Sequence, residues 1–421
     1  METLQPKLRF PEFKGNWDRK KIGDISTIGR GKSKHRPRDA EFLYGGKYPF
    51  IQTGDIRNAS LYLDSYTQTY SEEGLKQSKL WNEETLCITI AANIAETTIL
   101  KIKACFPDSI IGLIPNINDA TVLFVKYQFD KFKLEIQSLS QGVAQANLNQ
   151  ERLSKIEFNF PSLPEQARIA NFLSGVDEKL HFLKEKKALL EEYKKGMMQK
   201  IFNQQIRFKD DNGEDFGDWE EKRFHQIYSF KSTNSFSRDK LNYEKGLVKN
   251  IHYGDIHSKF NSLFNIKNEK VPFINDNLNI DKISNESFLK ENDLVIADAS
   301  EDYEDIGKCI EIINLNDERV LAGLHTFIAR PDKYKMASGF GNYLMKSDGV
   351  KIQIKTIAQG TKVLSISTTR LSEITVNIPS IKEQTKIAQF LAAIDEKIGL
   401  VGSQIEETVA YKKGLLQGMF V

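Results

Sequence analysis

No feature of this chain narrows its possible folds as much as its internal repeat. YKKGMMQKIF at Tyr193–Phe202 returns as YKKGLLQGMF at Tyr411–Phe420, and one offset of 218 residues carries Arg152–Asn203 onto Arg370–Val421 without a gap. Of those 52 paired positions 22 are identical, far beyond chance, so whatever structure the first copy adopts the second adopts again. Upstream only islands survive. SQGVAQANL aligns with AQGTKVLSI at the same offset, while FIQTGDI (Phe50–Ile56) meets NIHYGDI (Asn250–Ile256) at an offset of 200, so insertions distinguish the halves. The leading segments also rhyme: LRFPEFKGNW ends at Trp17 and IRFKDDNGEDFGDW at Trp219. The plan is a variable module followed by a constant segment, twice over.

Each constant segment opens on an alternating stretch, IEFNF or ITVNI, with the period of two that a strand requires. A helix start follows. Ser162-Leu-Pro-Glu165 and Ser380-Ile-Lys-Glu383 fit the capping box, in which the serine hydroxyl takes an early helix N–H and the glutamate returns to the cap N–H. Pro164 falls in the first turn, where its missing donor costs nothing. Steps of four and three then trace Ile169, Leu173, Val176, Leu180, Leu183, Lys187, Leu190, Lys194, Met197 and Ile201. The second copy gives Ile387, Leu391, Ile394, Ile398, Val401, Ile405, Thr408, Lys412, Leu415 and Met419. An apolar seam sustained over four to five heptads is that of a coiled coil, on helices roughly 57 Å long. Gly196 and Gly414 within them suggest a close helix approach or a kink. Each helix could pack on its own module. The heptads favour the alternative, an antiparallel pair joining the two modules.

A chain of 421 residues, 40% of them hydrophobic, can bury more than one core. No run approaches the roughly 20 apolar residues of a membrane span, and METLQPKLRF does not read as a signal peptide, so a cytoplasmic location with no membrane partner is expected. Cys87, Cys105 and Cys309 lie apart in apolar runs and read as buried reduced thiols; the six histidines do not cluster, and no metal site is expected. With a net charge of only +2, any nucleic-acid binding must come from local patches. Two similar modules on a stiff spacer suit a ligand that is itself extended and regularly spaced, and duplex DNA is the commonest such ligand.

The polar loops are therefore where reading would occur. GRGKSKHRPR (Gly29–Arg38) gathers Arg30, Lys32, Ser33, Lys34, His35, Arg36 and Arg38 on a glycine-rich stretch, the kind of flexible cationic loop that contacts phosphates. Arginine there can also pair bidentately with guanine. A P-loop reading of Gly31-Lys32-Ser33 fails, because the first glycine of GxxxxGK[ST] falls on Ser26. The corresponding SFKSTNSFSRDK (Ser229–Lys240) offers Lys231, Asn234, Ser237, Arg238 and Lys240. The GDI islands are expected as a strand and a tight turn, carrying Gln52, Thr53 and Arg57 in one copy against His252, Tyr253 and His257 in the other. Polar residues that differ on an unchanged frame suit one scaffold reading two base sequences. Gln141, Gln145 and Asn147, and later Gln359 and Lys362, sit in loops whose amides can pair with adenine. Solvated loops are the plain alternative throughout. Short apolar runs such as TLCITIA, SIIGLI, DLVIADA and GLHTFIA read as strands, making each module a mixed α/β unit.

The chain carries no [ND]PP[FY] tetrapeptide, no GxSxG, no HExxH and no glycine fingerprint between strand and helix, and it reads as non-catalytic. The two-fold plan, the GDI islands, the L..I..N.PS..EQ.(K/R)IA.FL...DEK stretches and the YKKG(M/L)(M/L)Q ends together resemble the DNA-specificity subunit of type I restriction-modification systems, over essentially the whole chain. The resemblance implies target-recognition domains at 1–160 and 205–378, each followed by a long helix, at 161–204 and 379–421, the helices forming an antiparallel coiled coil. It implies that each domain reads half of an interrupted site in double-stranded DNA. It further implies two methyltransferase subunits as partners, then restriction (motor) subunits, with S-adenosylmethionine, ATP and magnesium bound by those partners and no cofactor by this chain. A non-enzymatic protein scaffold and a stand-alone DNA-binding regulator are the competing readings.

Overall fold

The computed structural model describes residues 5–91, 93–138 and 148–421. They form two compact units, 1–187 with 401–421 and 188–400.

In the first unit a five-stranded sheet runs in the order Ser26–Arg30, Ile110–Pro115, Leu86–Thr89, Thr97–Leu100, Tyr62–Leu63, antiparallel except at its last pair. Leu86–Thr89 is buried at every position, as an unbroken apolar run demands of a strand covered on both faces. A four-stranded sheet, Gln68–Tyr70, Tyr44–Phe50, Ala104–Cys105, Leu80–Trp81, is built from strands that interleave with these along the chain. The second unit repeats the five-stranded order with Tyr228–Lys231, Thr326–Pro331, Leu294–Ala297, Cys309–Asn314 and Leu263–Asn265, again parallel only at the last pair. Its own four-stranded sheet contains Lys249–Ile251 paired in parallel with Val320–Ala322, just as Tyr44–Phe50 pairs with Ala104–Cys105. The three cysteines are free and buried.

The constant segments fold alike. Glu157–Phe160 pairs antiparallel with Asp18–Lys21, and Thr375–Ile378 with Glu220–Arg223, burying alternate residues Phe158 and Phe160, Val376 and Ile378. The long helices follow at Leu163–Phe202 and Ile381–Met419. At their starts the glutamates of the expected capping boxes are held by arginines. The buried Glu165 takes both carboxylate oxygens to Arg9, at 2.7 and 2.9 Å, and Glu383 takes its own to Arg207, at 3.1 and 2.7 Å. The adjacent glutamines, fully buried, each tie a loop of their module to the helix. Gln166 accepts from Thr121 N–H and donates to the Asp119 and Pro161 carbonyls; Gln384 accepts from Ala337 N–H and donates to those of Lys335 and Pro379. A carboxylate two-pronged on a guanidinium is a stronger partner than a lone cap N–H, which is why the arginine of each LRF or IRF segment captures it.

The long helices pack antiparallel. In the first unit Ile169, Leu173 and Val176 share a core with Leu415 and Met419; in the second, Met197 and Ile201 share one with Ile387, Leu391 and Ile394. Every traced seam position is buried or half-buried, including Leu180, Leu183, Leu190, Ile398, Val401 and Ile405. The seam's polar positions carry a matched pair of ionic bonds. Lys412 binds Asp177, which also accepts from Tyr127 Oη at 2.7 Å, and Lys194 binds Asp395, which accepts from Tyr343 Oη at 2.8 Å. Each decapeptide ends inside a core: Phe420 lies against Trp17 and Phe124 with ring centroids 6.3 and 5.2 Å away, and Phe202 against Trp219 and Phe340 at 6.1 and 5.8 Å. The rhyming tryptophans are thus the receptors for the rhyming phenylalanines. The close approach expected at Gly196 and Gly414 is absent, since a Cβ at either would meet nothing within 4 Å.

Candidate nucleic-acid interface

In the first unit the basic stretch leaves the end of the Ser26–Arg30 strand and is less free than its glycines suggest. Gly31 passes so close to the 106–107 backbone that a Cβ there would lie 2.3 Å from the Pro107 carbonyl oxygen, so glycine is required by contact and not for mobility. Lys32 N–H donates to the Phe106 carbonyl, and the buried Ser33 Oγ lies 3.3 Å from Tyr70 Oη. His35 is edge-on to Phe42, with centroids 5.0 Å apart, and its N–H donates to Gln77. Arg30 and Arg38 both reach Asp108, Arg30 through the carbonyl and Arg38 through the carboxylate at 2.9 Å, while Arg36 folds back onto the carbonyls of Ser33 and His35. Lys32 and Lys34 are exposed and make no ion pair among the described residues.

Tyr70 stands two positions from Gln68 on one strand, and Gln68 Oε1 accepts from Gln52 Nε2 at 2.5 Å. That strand brings the basic loop and Gln52 onto one sheet. Thr53 is half-buried, and Arg57 is exposed beside a cavity of about 240 Å³ that reaches His181 and Lys184 of the first long helix, apart from the loop. Gln141, Gln145 and Asn147 lie outside the described residues.

The GDI islands prove to be short helices, Thr53–Asn58 and Tyr253–Ser258, each directly following a strand or strand end; the expected tight turn is replaced by one and a half helical turns. The aspartate of the two islands is used differently. Asp55 accepts from Gln52 N–H at 2.8 Å, closing the first turn, whereas the buried Asp255 takes Arg238 two-pronged at 2.7 and 2.9 Å, and Lys259 at 2.8 Å. Burial pushes the Asp255 carboxyl up, but the bonds to Arg238 and Lys259 more than offset it and leave it below the usual range. Arg238 is thereby tied to a buried carboxylate, although its own side chain stays 42% exposed.

Other predicted residues of the second unit are similarly engaged. Asn234 donates to Asn250 Oδ1 and the Ala322 carbonyl, Ser237 bonds Asp239, and Lys231 pairs with Glu286 at 3.3 Å. The buried His252 accepts from Gly254 N–H at 3.1 Å; burial, then Arg238, lowers its pKa, which keeps the ring uncharged. Tyr253 is half-exposed at the centre of an aromatic group, 4.7 Å from His252, 6.3 Å from His257 and 5.3 Å from His325 between centroids. His257 Nε2 donates to the Ala299 carbonyl at 3.1 Å. The neighbouring strand Ala299–Ser300 pairs with Leu364–Ser365, whose hairpin exchanges backbone bonds between Gln359 and Ser365 and exposes Lys362. The structure therefore gathers Tyr253, His257 and the Gln359–Lys362 hairpin around residues 298–300.

Two members of that group escaped the sequence reading. His325 and Asp298 are bonded at 3.1 Å, and both lay hidden inside runs, GLHTFIA and DLVIADA, that read simply as strands. Arg9 and Arg207 were also missed, although the doubled Arg-Phe of the leading segments could have disclosed them.

Residues 14–192 and 217–410 both match the family described as type I restriction modification DNA specificity domain. The chain belongs to this type I DNA-specificity family. Two such domains in tandem account for the repeat. Among curated relatives, the MjaVIII type I restriction enzyme specificity subunit of Methanocaldococcus jannaschii is 24% identical over 97% of this chain and 92% of its own. A putative MjaX specificity subunit of the same organism is 22% identical over 97% and 94%. Of solved structures, the type I restriction-modification S subunit of M. genitalium superposes with a TM-score of 0.62 at 15% identity, covering 99% of each chain. A chain from a study of type I R-M complex assembly and conformational transition gives 0.54 at 12% identity, covering 95% of this chain and 96% of that one. The fold is thus shared from one end of the chain to the other. No helix among the described residues is long and apolar enough to cross a membrane.

Proposed function

We propose that this chain is the specificity subunit of a type I restriction-modification complex and reads a two-part, interrupted site in double-stranded DNA. One observation carries the proposal. The two units share sheet order, the arginine–glutamate and glutamine anchors and the helix seam, yet they place different side chains at the same frame positions, Gln52, Thr53 and Arg57 against His252, Tyr253 and His257. A protein that must hold one architecture while reading two unrelated half-sites needs that division; a protein-only scaffold does not.

In this reading the first unit contacts one half-site through Lys32, Lys34 and the sheet carrying Gln52, the second contacts the other through the group around Tyr253, and the paired helices set the unread gap. Lysines without internal partners suit phosphate contact, which positions the protein, while half-exposed aromatic and imidazole groups suit base edges. The chain contributes recognition and assembly. Methyl transfer to adenine, DNA translocation and cleavage belong to two methyltransferase subunits and to restriction subunits, which bind S-adenosylmethionine, ATP and magnesium.

The test is to co-express this chain with a type I methyltransferase encoded beside it and to map methylated adenines by single-molecule sequencing. An interrupted two-part motif that appears only when this chain is present is the expected result. Methylation indifferent to its presence would refute the reading.

A further inference from the structure

The backbone of His325 is the strained point of the second unit's polar group. It lies in the link between the strands Val320–Ala322 and Thr326–Pro331, with φ at +57°, in the left-handed region that non-glycine residues rarely adopt. Three bonds hold it there. Asp298 N–H donates to the His325 carbonyl at 3.1 Å, His325 Nδ1 and Asp298 Oδ1 are 3.1 Å apart, and Thr326 Oγ1 closes the link onto the Gly323 carbonyl. Asp298 is fixed in turn, because its carbonyl accepts from Ile366 N–H at 2.9 Å, at the foot of the Gln359–Ser365 hairpin. Strain kept in place by surrounding bonds is a mark of a position selected for what its side chain presents.

What it presents is definite. A carboxylate only accepts, so the hydrogen between the two side chains rides on Nδ1 of the imidazole, and in that neutral tautomer Nε2 is left as a lone-pair acceptor. Nε2 has no protein partner among the described residues, and the His325 side chain is 49% exposed, whereas that of Asp298 is only 22% exposed. The edge of Tyr253 supports the ring at 5.3 Å. This is an oriented acceptor, anchored at its inner nitrogen and open at its outer one.

We propose that His325 is a specificity-determining residue of the second half-site, accepting through Nε2 from the exocyclic amine of a cytosine or adenine in the major groove, with Asp298 as its positioning residue. The assignment rests on the specificity reading above and deepens it, naming the kind of base edge this unit selects. A group that offers an acceptor discriminates against guanine O6 and thymine O4, which are acceptors themselves.

The decisive variant is His325→Gly in the full chain co-expressed with its methyltransferase, because glycine takes φ of +57° without strain and the two bonds of the link that do not use the imidazole remain. His325→Asn, which also tolerates this backbone, is the second variant. Mapping of methylated adenines should show discrimination lost at one base pair of one half-site, by roughly ten- to a hundred-fold, with the other half-site and the gap unchanged. An intact motif in both variants removes His325 from base reading. So does an even fall at all sites with the preference retained, which would mark a phosphate contact or a structural role. A wild-type complex that directs no methylation would sink the specificity reading itself, and this assignment with it.

Discussion

At the scale of single residues, the functional surface depends on groups that never reach it. Glu383 is fully buried, and its charge is matched by Arg207, which also binds the carbonyls of Phe216 and Gly217. Arg207→Met should destabilise the second unit by about 3 kcal/mol, since removing one partner strands a buried carboxylate, and Glu383→Gln in the same chain should recover part of the loss; denaturant unfolding of the four-member cycle measures both. Glu311 supplies a pH signature. Its carboxylate accepts from the N–H groups of Gly339 at 2.6 Å and Asn342 at 2.8 Å, but burial dominates and pushes its pKa from an ordinary 4.5 up to about 7. The folded state therefore holds a proton that the unfolded state releases. Stability from this group is full below about pH 4.5 and is lost as pH rises toward 7. Glu311→Gln should gain on wild type by about 2–3 kcal/mol between pH 5 and pH 8 in chemical denaturation, and a constant difference would refute the assignment. The sequence disclosed Glu165 and Glu383 as helix starters but not their arginines, because a capping pattern is local and a partner 156 or 176 positions away is not; nothing in it disclosed Glu311.

At the scale of elements, legibility followed length and repetition. The long helices were readable because ten seam positions in each keep the heptad phase, and the central strands because runs such as Leu294–Ala297 are wholly apolar. The Thr53–Asn58 and Tyr253–Ser258 helices were not, since six residues span too few turns to show a helical period. Nor could periodicity foresee that Arg238, a cation in a charged loop, would pair with the buried Asp255, because that depends on a fold-level juxtaposition. If the paired helices set the gap, a heptad inserted after Lys187 together with one after Leu400 keeps the seam in register while adding roughly 10 Å of helix, close to three base pairs. Methylation mapping should then report a longer interruption between unchanged half-sites; the original gap would refute the spacer.

At the scale of the whole molecule, a net charge of +2 leaves any DNA affinity to local basic patches, and the proposed one is the Lys32–Lys34 loop. Lys32→Ala with Lys34→Ala should reduce the slope of log affinity against log salt by about two and weaken binding to every sequence alike, as fluorescence anisotropy across a salt series would show. An unchanged slope would take the loop out of the interface. The repeat announced two like units, but two decapeptides that share six of ten residues could not say which core each one enters. That placement has a consequence for how the protein is made. The unit spanning 188–400 is continuous in the chain, whereas the other needs residues 401–421, with Leu8 N–H bonded to the Gly418 carbonyl and Phe420 seated on Trp17. On the ribosome the half translated first is therefore the half that closes last, its core waiting with an open apolar face while the later half is synthesised and folds. A chain stopped after Leu400 should keep a protease-resistant 188–400 and lose protection over 1–187, which limited proteolysis would show.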